Sequence, residues 1–109
     1  MGSMNTTDVK QTIAISSTDT LQKYVGTTAT DIGSARLKAI QAQSSAADAS
    51  VKIYNATDAT TASTLVFEAK WGTAANESFT FYLPQRGIFC STAMHAVLSN
   101  CDFLVVTFD

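Results

Sequence analysis

Hydrophobic and polar positions alternate with a period of two over most of the C-terminal two thirds of the chain. In residues 51–54 Val51 and Ile53 alternate with Lys52 and Tyr54, and the pattern recurs in residues 65–70, 79–83 and 94–98. Turn-forming residues separate these stretches about every 8–12 residues. We therefore predict an all-β protein, an antiparallel β-sandwich or jelly-roll-like barrel of about seven or eight short strands.

Residues 103–108 differ from the other strands because they are apolar on both faces. This pattern is typical of a strand that is central in its sheet or covered by another subunit. Earlier in this half, Pro84 should end a strand, because proline cannot donate to a ladder. Gly87 then allows a tight reversal of the chain.

The N-terminal third is more polar, with possible short strands at Thr12–Ile15 and Thr20–Val25 and a turn-like stretch over residues 26–33. We predict a polar N-terminal arm over residues 1–30, which orders on a partner, and a β-sandwich domain over residues 31–109. The boundary segment Ala35–Gln43 has two interpretations. Its residue types favour a helix capped by Asp31, whereas the strand-like neighbours favour a strand. We favour the strand, with one face formed by Ala35, Leu37, Ala39 and Gln41.

The composition is rich in hydroxyl groups and poor in charge. Hydrophobic residues make up 46% and charged residues 15% of the 109 residues, with a net charge of −2 and with 16 Thr, 16 Ala and 11 Ser. The hydrophobic fraction excludes a wholly disordered chain, and the charge argues against nucleic-acid binding, which calls for a basic face. No apolar run is long enough to span a membrane. An uncharged, Thr-rich surface suits contact with other protein, because few charges need desolvating. Ordinary compositional drift in a strand-rich domain remains the alternative.

Reactive side chains are few, and we predict no catalytic residues, no metal site and no cofactor. His95 is the only histidine, so a Ser-His-Asp or Cys-His arrangement would have to use it, and Cys90 lies five residues earlier. A strand carries that separation to about 16 Å, so pairing would need a reversal of the chain. Cys90 and Cys101 form either a disulfide between adjacent strands or two free thiols in a reducing compartment.

Three aromatic residues are the candidates for a binding or interface site. Trp71 lies at a strand end beside Gly72, and Tyr54 and Tyr82 lie on the less apolar faces of their strands. Such residues stack on sugars in carbohydrate-binding sandwiches, anchor protein interfaces, or cap the edge of a core. The sequence leaves these three interpretations open.

The order of motifs in residues 35–109 resembles that of small virion-type β-sandwich proteins of tailed bacteriophages, including marine and cyanobacterial phages. The similarity lies in an Arg-Leu-Lys-small-Ile strand (residues 36–40), a Leu-Pro-x-x-Gly-Ile corner (residues 83–88) and a turn of the Val-x-Leu-x-Asn type (residues 96–100, with Ala96 at the Val position). The strands 51–56, 64–67 and 104–108 lie between and after them. The resemblance implies no catalytic residues. It implies a virion component that is assembled in the host bacterial cytoplasm: a capsid decoration protein, or a small part of the tail or its fibres.

We therefore expect a non-enzymatic viral structural protein that acts by self-association, as a homo-oligomer, and by binding capsid or tail proteins. The alternative is a small carbohydrate-binding β-sandwich module that uses Trp71 with Tyr54 or Tyr82.

Overall fold

The computed structural model describes residues 10–109. This part of the chain is all-β, which confirms the predicted fold class, and it contains eleven strands and one short 3-10 helix, Ala62–Thr64. The strands are Lys10–Gln11 (β1), Asp19–Thr20 (β2), Gln22–Val25 (β3), Thr28–Asp31 (β4), Ala35–Ser44 (β5), Ala49–Tyr54 (β6), Leu65–Trp71 (β7), Ser78–Tyr82 (β8), Ile88–Cys90 (β9), His95–Ser99 (β10) and Cys101–Phe108 (β11). The count exceeds the predicted seven or eight because several strands have only two or three residues.

The strands form two antiparallel sheets and a ribbon. Sheet A has the order β1-β11-β5-β8, with β9 also paired to β5. Sheet B has the order β2-β10-β6-β7, and β3 and β4 pair only with each other in the ribbon. The apolar residues of both sheets meet between them and form one core, which includes Leu37, Ile53 and Leu104, none of them exposed. The strand β11, which is apolar on both faces, lies inside sheet A between β1 and β5.

The ambiguous segment forms β5, so the strand interpretation is confirmed, but the predicted assignment of its faces is wrong. Thr107 pairs with Ala39 and Phe108 pairs with Leu37, so Lys38 is an extra residue on β5. Such a bulge shifts the alternation by one residue. Leu37 and Ile40 therefore both enter the core, while Ala39 and Gln41 lie on the outer side. A strict period of two could not reveal this change of face.

The chain does not reverse at Gly87, contrary to the prediction. Tyr82 of β8 pairs with Ala39, and Ile88 of β9 pairs with Leu37, so both strands run in the same direction along β5. Residues 83–87, which we call the corner, are looped out opposite the Lys38 bulge. The Lys38 Nζ donates to the Gln85 carbonyl oxygen at 2.9 Å. The bulge on β5 and the corner between β8 and β9 therefore lie opposite each other and interrupt sheet A at the same place.

The predicted N-terminal arm is part of the sandwich where the structure describes it, and residues 1–9 lie outside the described part. β1 pairs with β11 and β2 pairs with β10, so this segment adds a strand to each sheet. Leu21 is fully buried in the core. The Thr12 hydroxyl accepts from the Val106 amide at 3.0 Å. The boundary drawn at residue 30 falls inside β4, because Asp31 pairs with Gln22 in the ribbon.

The turn between β7 and β8 is fastened to Ser44, the last residue of β5. The fully buried Ser44 hydroxyl donates to the Ala74 carbonyl oxygen at 2.7 Å and accepts from the Glu77 amide at 2.9 Å. The Trp71 Nε1 donates to the Glu77 carbonyl oxygen at 3.0 Å. These bonds fix where β8 begins and how it lies against β5.

Candidate functional site

The three aromatic candidates lie in different surroundings and do not form one platform. Tyr54 is 9% exposed and belongs to sheet B, whereas Tyr82 is 76% exposed and belongs to sheet A. Trp71 is half-buried and stacks on Phe79, with ring centroids 4.9 Å apart. Trp71 and Tyr54 lie at opposite ends of the β6–β7 ladder. Of the three, Tyr82 alone presents most of its side chain to the surface.

Trp71 belongs to an aromatic cluster on the side of the sandwich where β7 and β8, the edge strands of the two sheets, lie. Phe79 stacks on Trp71, and its ring centroid lies 6.4 Å from that of Phe81. The Phe81 centroid in turn lies 5.8 Å from that of Phe67. The cluster joins β7 of sheet B to β8 of sheet A. Phe81 remains 41% exposed, so the cluster is not closed on its outer side.

Cys90, His95 and Cys101 are not brought together. Cys90 is fully buried on the core side of sheet A, whereas His95 lies on the outer side of sheet B, where its Nδ1 is 2.9 Å from the Thr20 hydroxyl oxygen. Cys90 pairs with Ala35 at the start of β5 and Cys101 pairs with Ser44 at its end. The ten-residue strand β5 keeps them roughly 30 Å apart. Both cysteines are free, so of the two predicted interpretations the free thiols are correct.

Burial determines the chemistry of Cys90. It raises the pKa of the Cys90 thiol to about 11, and it also raises the pKa of Cys101. Cys90 is therefore nearly all thiol at neutral pH. Because the thiolate is the nucleophilic form, Cys90 is a poor nucleophile.

Alkylation of the native protein should therefore spare Cys90. In a Cys101→Ser variant we expect no label at neutral pH in the native state and one label per chain in denaturant, measured by intact-mass spectrometry. Complete native-state labelling of this variant at neutral pH would contradict the buried position of Cys90.

Metal ligands do not converge within residues 10–109: no group of three or more His, Cys, Asp and Glu side chains is placed to hold an ion. In the same residues no helix is long and apolar enough to cross a membrane.

The most distinctive surface of the molecule is the outer side of sheet A. Register places twelve side chains on it: Gln11, Arg36, Ala39, Gln41, Gln43, Ser78, Thr80, Tyr82, Phe89, Phe103, Val105 and Thr107. We call this set the sheet A face. Among these twelve described residues only Arg36 is charged, and its guanidinium lies over the Phe89 ring, 5.2 Å from the centroid. Asp109, whose backbone exchanges two hydrogen bonds with Arg36, adds one carboxylate at the same end of the face.

The outer side of sheet B has a different character. Lys52 lies directly opposite Glu68, and Lys70 lies beside them. An antiparallel sheet that faces water normally carries such charged and polar residues. Desolvating them costs free energy, whereas the neutral amides, hydroxyls and aromatic rings of the sheet A face can be covered at a lower cost. The sheet A face is therefore the better candidate for contact with protein.

Sequence reasoning missed the exposed residues of the ribbon. Tyr24 is 64% and Val25 57% exposed at its tip, where Gly26, at φ +65°, begins a two-residue turn. Gly as the first residue of such a turn is a hairpin signal, whereas the sequence pattern predicts one turn-like stretch over residues 26–33. A groove of about 420 Å³ lies between the ribbon and β1, with Lys10 and Lys23 on its walls.

Phe89 was also missed, because its position on the sheet A face depends on the pairing of β9 with β5. Its neighbours along the chain gave no signal of this pairing.

No family model matches this chain, and no match was found among curated proteins or solved structures. The surface described above is therefore the basis for the functional proposal.

Proposed function

We propose that this chain is a non-enzymatic structural protein of a tailed-phage particle, either a capsid decoration protein or a small tail or fibre component. It associates with itself and binds the capsid or tail lattice through protein contacts. The observation that carries this proposal is the sheet A face, where Arg36 is the one charged side chain among the twelve residues and Asp109 lies opposite it at the end of the face. The resemblance of residues 35–109 to small virion β-sandwich proteins supplies the biological setting.

Physical reasons connect this face to lattice binding. The buried centre of a protein interface is depleted in charge and enriched in aromatic residues. On the sheet A face, Phe89 and Tyr82 are 51% and 76% exposed, and Phe103 and Val105 are half-buried elsewhere on the same face. A virion protein contacts symmetric neighbours, so one such face meets the same neighbour in every copy.

The carbohydrate-binding alternative has less support from the geometry. A sugar platform of Trp71 with Tyr54 or Tyr82 needs rings that share one surface, and these rings lie on different parts of the molecule. One face of the Trp71 ring is already stacked on Phe79.

The protein content of purified particles of the phage that encodes this chain tests the proposal. We expect mass spectrometry of purified particles to detect the chain in a fixed ratio to a capsid or tail protein. A chain that is abundant in the infected cells but absent from purified particles would contradict the proposal.

A charge placed on the sheet A face should weaken this binding. Gln41 is exposed in the middle of the face, so Gln41→Lys should fold normally, while its occupancy of the particle falls roughly tenfold or more, because a buried unpaired charge is costly. The matched control is Ser99→Lys, at an exposed position on sheet B, and its occupancy should equal that of the wild type. Equal occupancy of both variants would show that sheet A is not the binding face.

A further inference from the structure

The free edge of β8 is the second unusual feature of sheet A. β8 is the last strand beside β5, and no described residue pairs with its other edge. Its five residues, Ser78–Tyr82, include no charge and no proline, and their pairing with β5 contains no bulge. An open, regular edge of this kind is a template for pairing with another strand.

The neighbouring edge strand β7 of sheet B lacks this property. It carries Glu68 and Lys70 on its outer side, and a bulge at Val66 interrupts its pairing with β6. Charged residues and bulges are the usual means by which proteins protect an edge against pairing. One edge at this end of the sandwich is therefore protected and the other is left open.

The backbone of β8 shows which groups are free to pair. The Glu77 carbonyl accepts from the Ser44 amide, and the Leu83 amide donates to the Lys38 carbonyl. Since the direction of backbone groups alternates along an antiparallel strand, the odd-numbered residues bond to β5. The amides and carbonyls of Ser78, Thr80 and Tyr82 therefore point to the open edge.

We propose that a second copy of this chain pairs antiparallel with this edge, about a two-fold axis at Thr80. In this register Thr80 faces Thr80 of the second copy, and Ser78 faces Tyr82 at each end. Each of the free amides and carbonyls of the three residues then obtains a partner, whereas a shift of the register leaves groups unpaired at the ends. The inference deepens the proposed function, since it rests on the self-association proposed above.

The side chains fit this register. Phe79 of one copy faces Phe81 of the other in a pair that is not hydrogen-bonded, where side chains approach more closely. The pairing covers Phe81, which is 41% exposed, and joins the aromatic clusters of the two copies. Such an interface is isologous, because each copy gives the same strand and receives the same strand.

Charge complementarity favours a second copy over an unrelated chain. In this register the corner of one copy lies beside the turn before β8 of the other. The corner carries the exposed Arg86, and the turn carries Glu77, whose carboxylate accepts from the Thr73 amide and hydroxyl. The register therefore places a basic and an acidic residue near each end of the uncharged strand. Sheet A becomes continuous across the two copies, and the two sheet A faces form one larger surface.

Disulfide cross-linking tests the register directly. Paired residues at a hydrogen-bonded position have Cα atoms about 5.5 Å apart, within the range that a disulfide spans. In the Cys101→Ser background, Thr80→Cys should form a covalent dimer under mild oxidation. Gln41→Cys, which lies directly opposite Thr80 on β5 and away from the edge, should form no covalent dimer. Equal cross-linking of both variants, or none of either, would overturn the proposed pairing.

A charged variant separates this inference from the proposed function. Thr80 is exposed, so Thr80→Lys should fold, but it places two like charges across the axis and should raise the dimer dissociation constant about a hundredfold or more. Ser99→Lys, at an exposed position on sheet B and away from β8, should leave the dimer unchanged. If the wild type associates and Thr80→Lys associates equally well, the β8 pairing is wrong while self-association stands. If the wild type stays monomeric at every concentration, both are wrong.

Discussion

Replacing Gly87 by alanine should destabilise the fold by about 3 kcal/mol or more. Gly87 has φ +71°, and a Cβ there would overlap the carbonyl oxygen of Leu37. A left-handed conformation costs a non-glycine residue about 1–2 kcal/mol, and overpacking against backbone adds about 1–3 kcal/mol. The midpoint of urea unfolding should fall markedly, with an unchanged slope.

Gly26→Ala is the matched control for this prediction. Gly26 has nearly the same φ, +65°, but nothing lies within 4 Å of the added Cβ. We expect a loss of about 1 kcal/mol, from the backbone conformation alone. The difference between the two variants measures how closely the corner approaches β5 at the Lys38 bulge. Equal losses would mean that the corner is not packed on Leu37.

Replacing Ser44 by alanine should cost about 2–3 kcal/mol. The Ser44 hydroxyl is fully buried and serves two backbone groups, the Ala74 carbonyl and the Glu77 amide. Leaving a buried polar group without a partner costs about 1–3 kcal/mol. Since Trp71 is the only tryptophan and bonds to the Glu77 carbonyl, its fluorescence should report the loosened turn as well.

Ser45→Ala provides the control, because Ser45 is exposed and follows Ser44 directly. Its unfolding free energy should stay within about 0.5 kcal/mol of the wild type, and its Trp71 emission should not change. If Ser44→Ala behaves like Ser45→Ala, the turn is not held by the Ser44 hydroxyl.

Much of the fold follows from local pattern. The alternation in β6, β7, β8 and β10 predicts strands with one buried face. The structure contains strands at all four places, and the inner face is buried in β6 and β10 but only partly covered in the edge strands β7 and β8. The apolar residues on both faces of β11 correctly predict a strand inside its sheet. These features depend on neighbouring residues only, so a period of two is sufficient to find them.

The candidate surface depends on features that local pattern does not contain. The Lys38 bulge turns Ala39 and Gln41 outward, and the pairing of β9 with β5 places Phe89 on the sheet A face. The sequence predicts Trp71, Tyr54 and Tyr82 as candidate site residues, but it does not indicate that they lie on separate parts of the molecule. The order of strands in a sheet decides which strand lies at an open edge. That order depends on long-range pairing and cannot be predicted from any single segment.

The molar mass of the whole chain in solution tests the central claim, that this protein functions through contact with other copies and with neighbouring protein. Sedimentation equilibrium over a wide range of concentrations measures it without any label. We predict a mass that rises from the 11.6 kDa of one chain towards twice that value or a higher even multiple. A single species of 11.6 kDa at the highest attainable concentration would contradict the account.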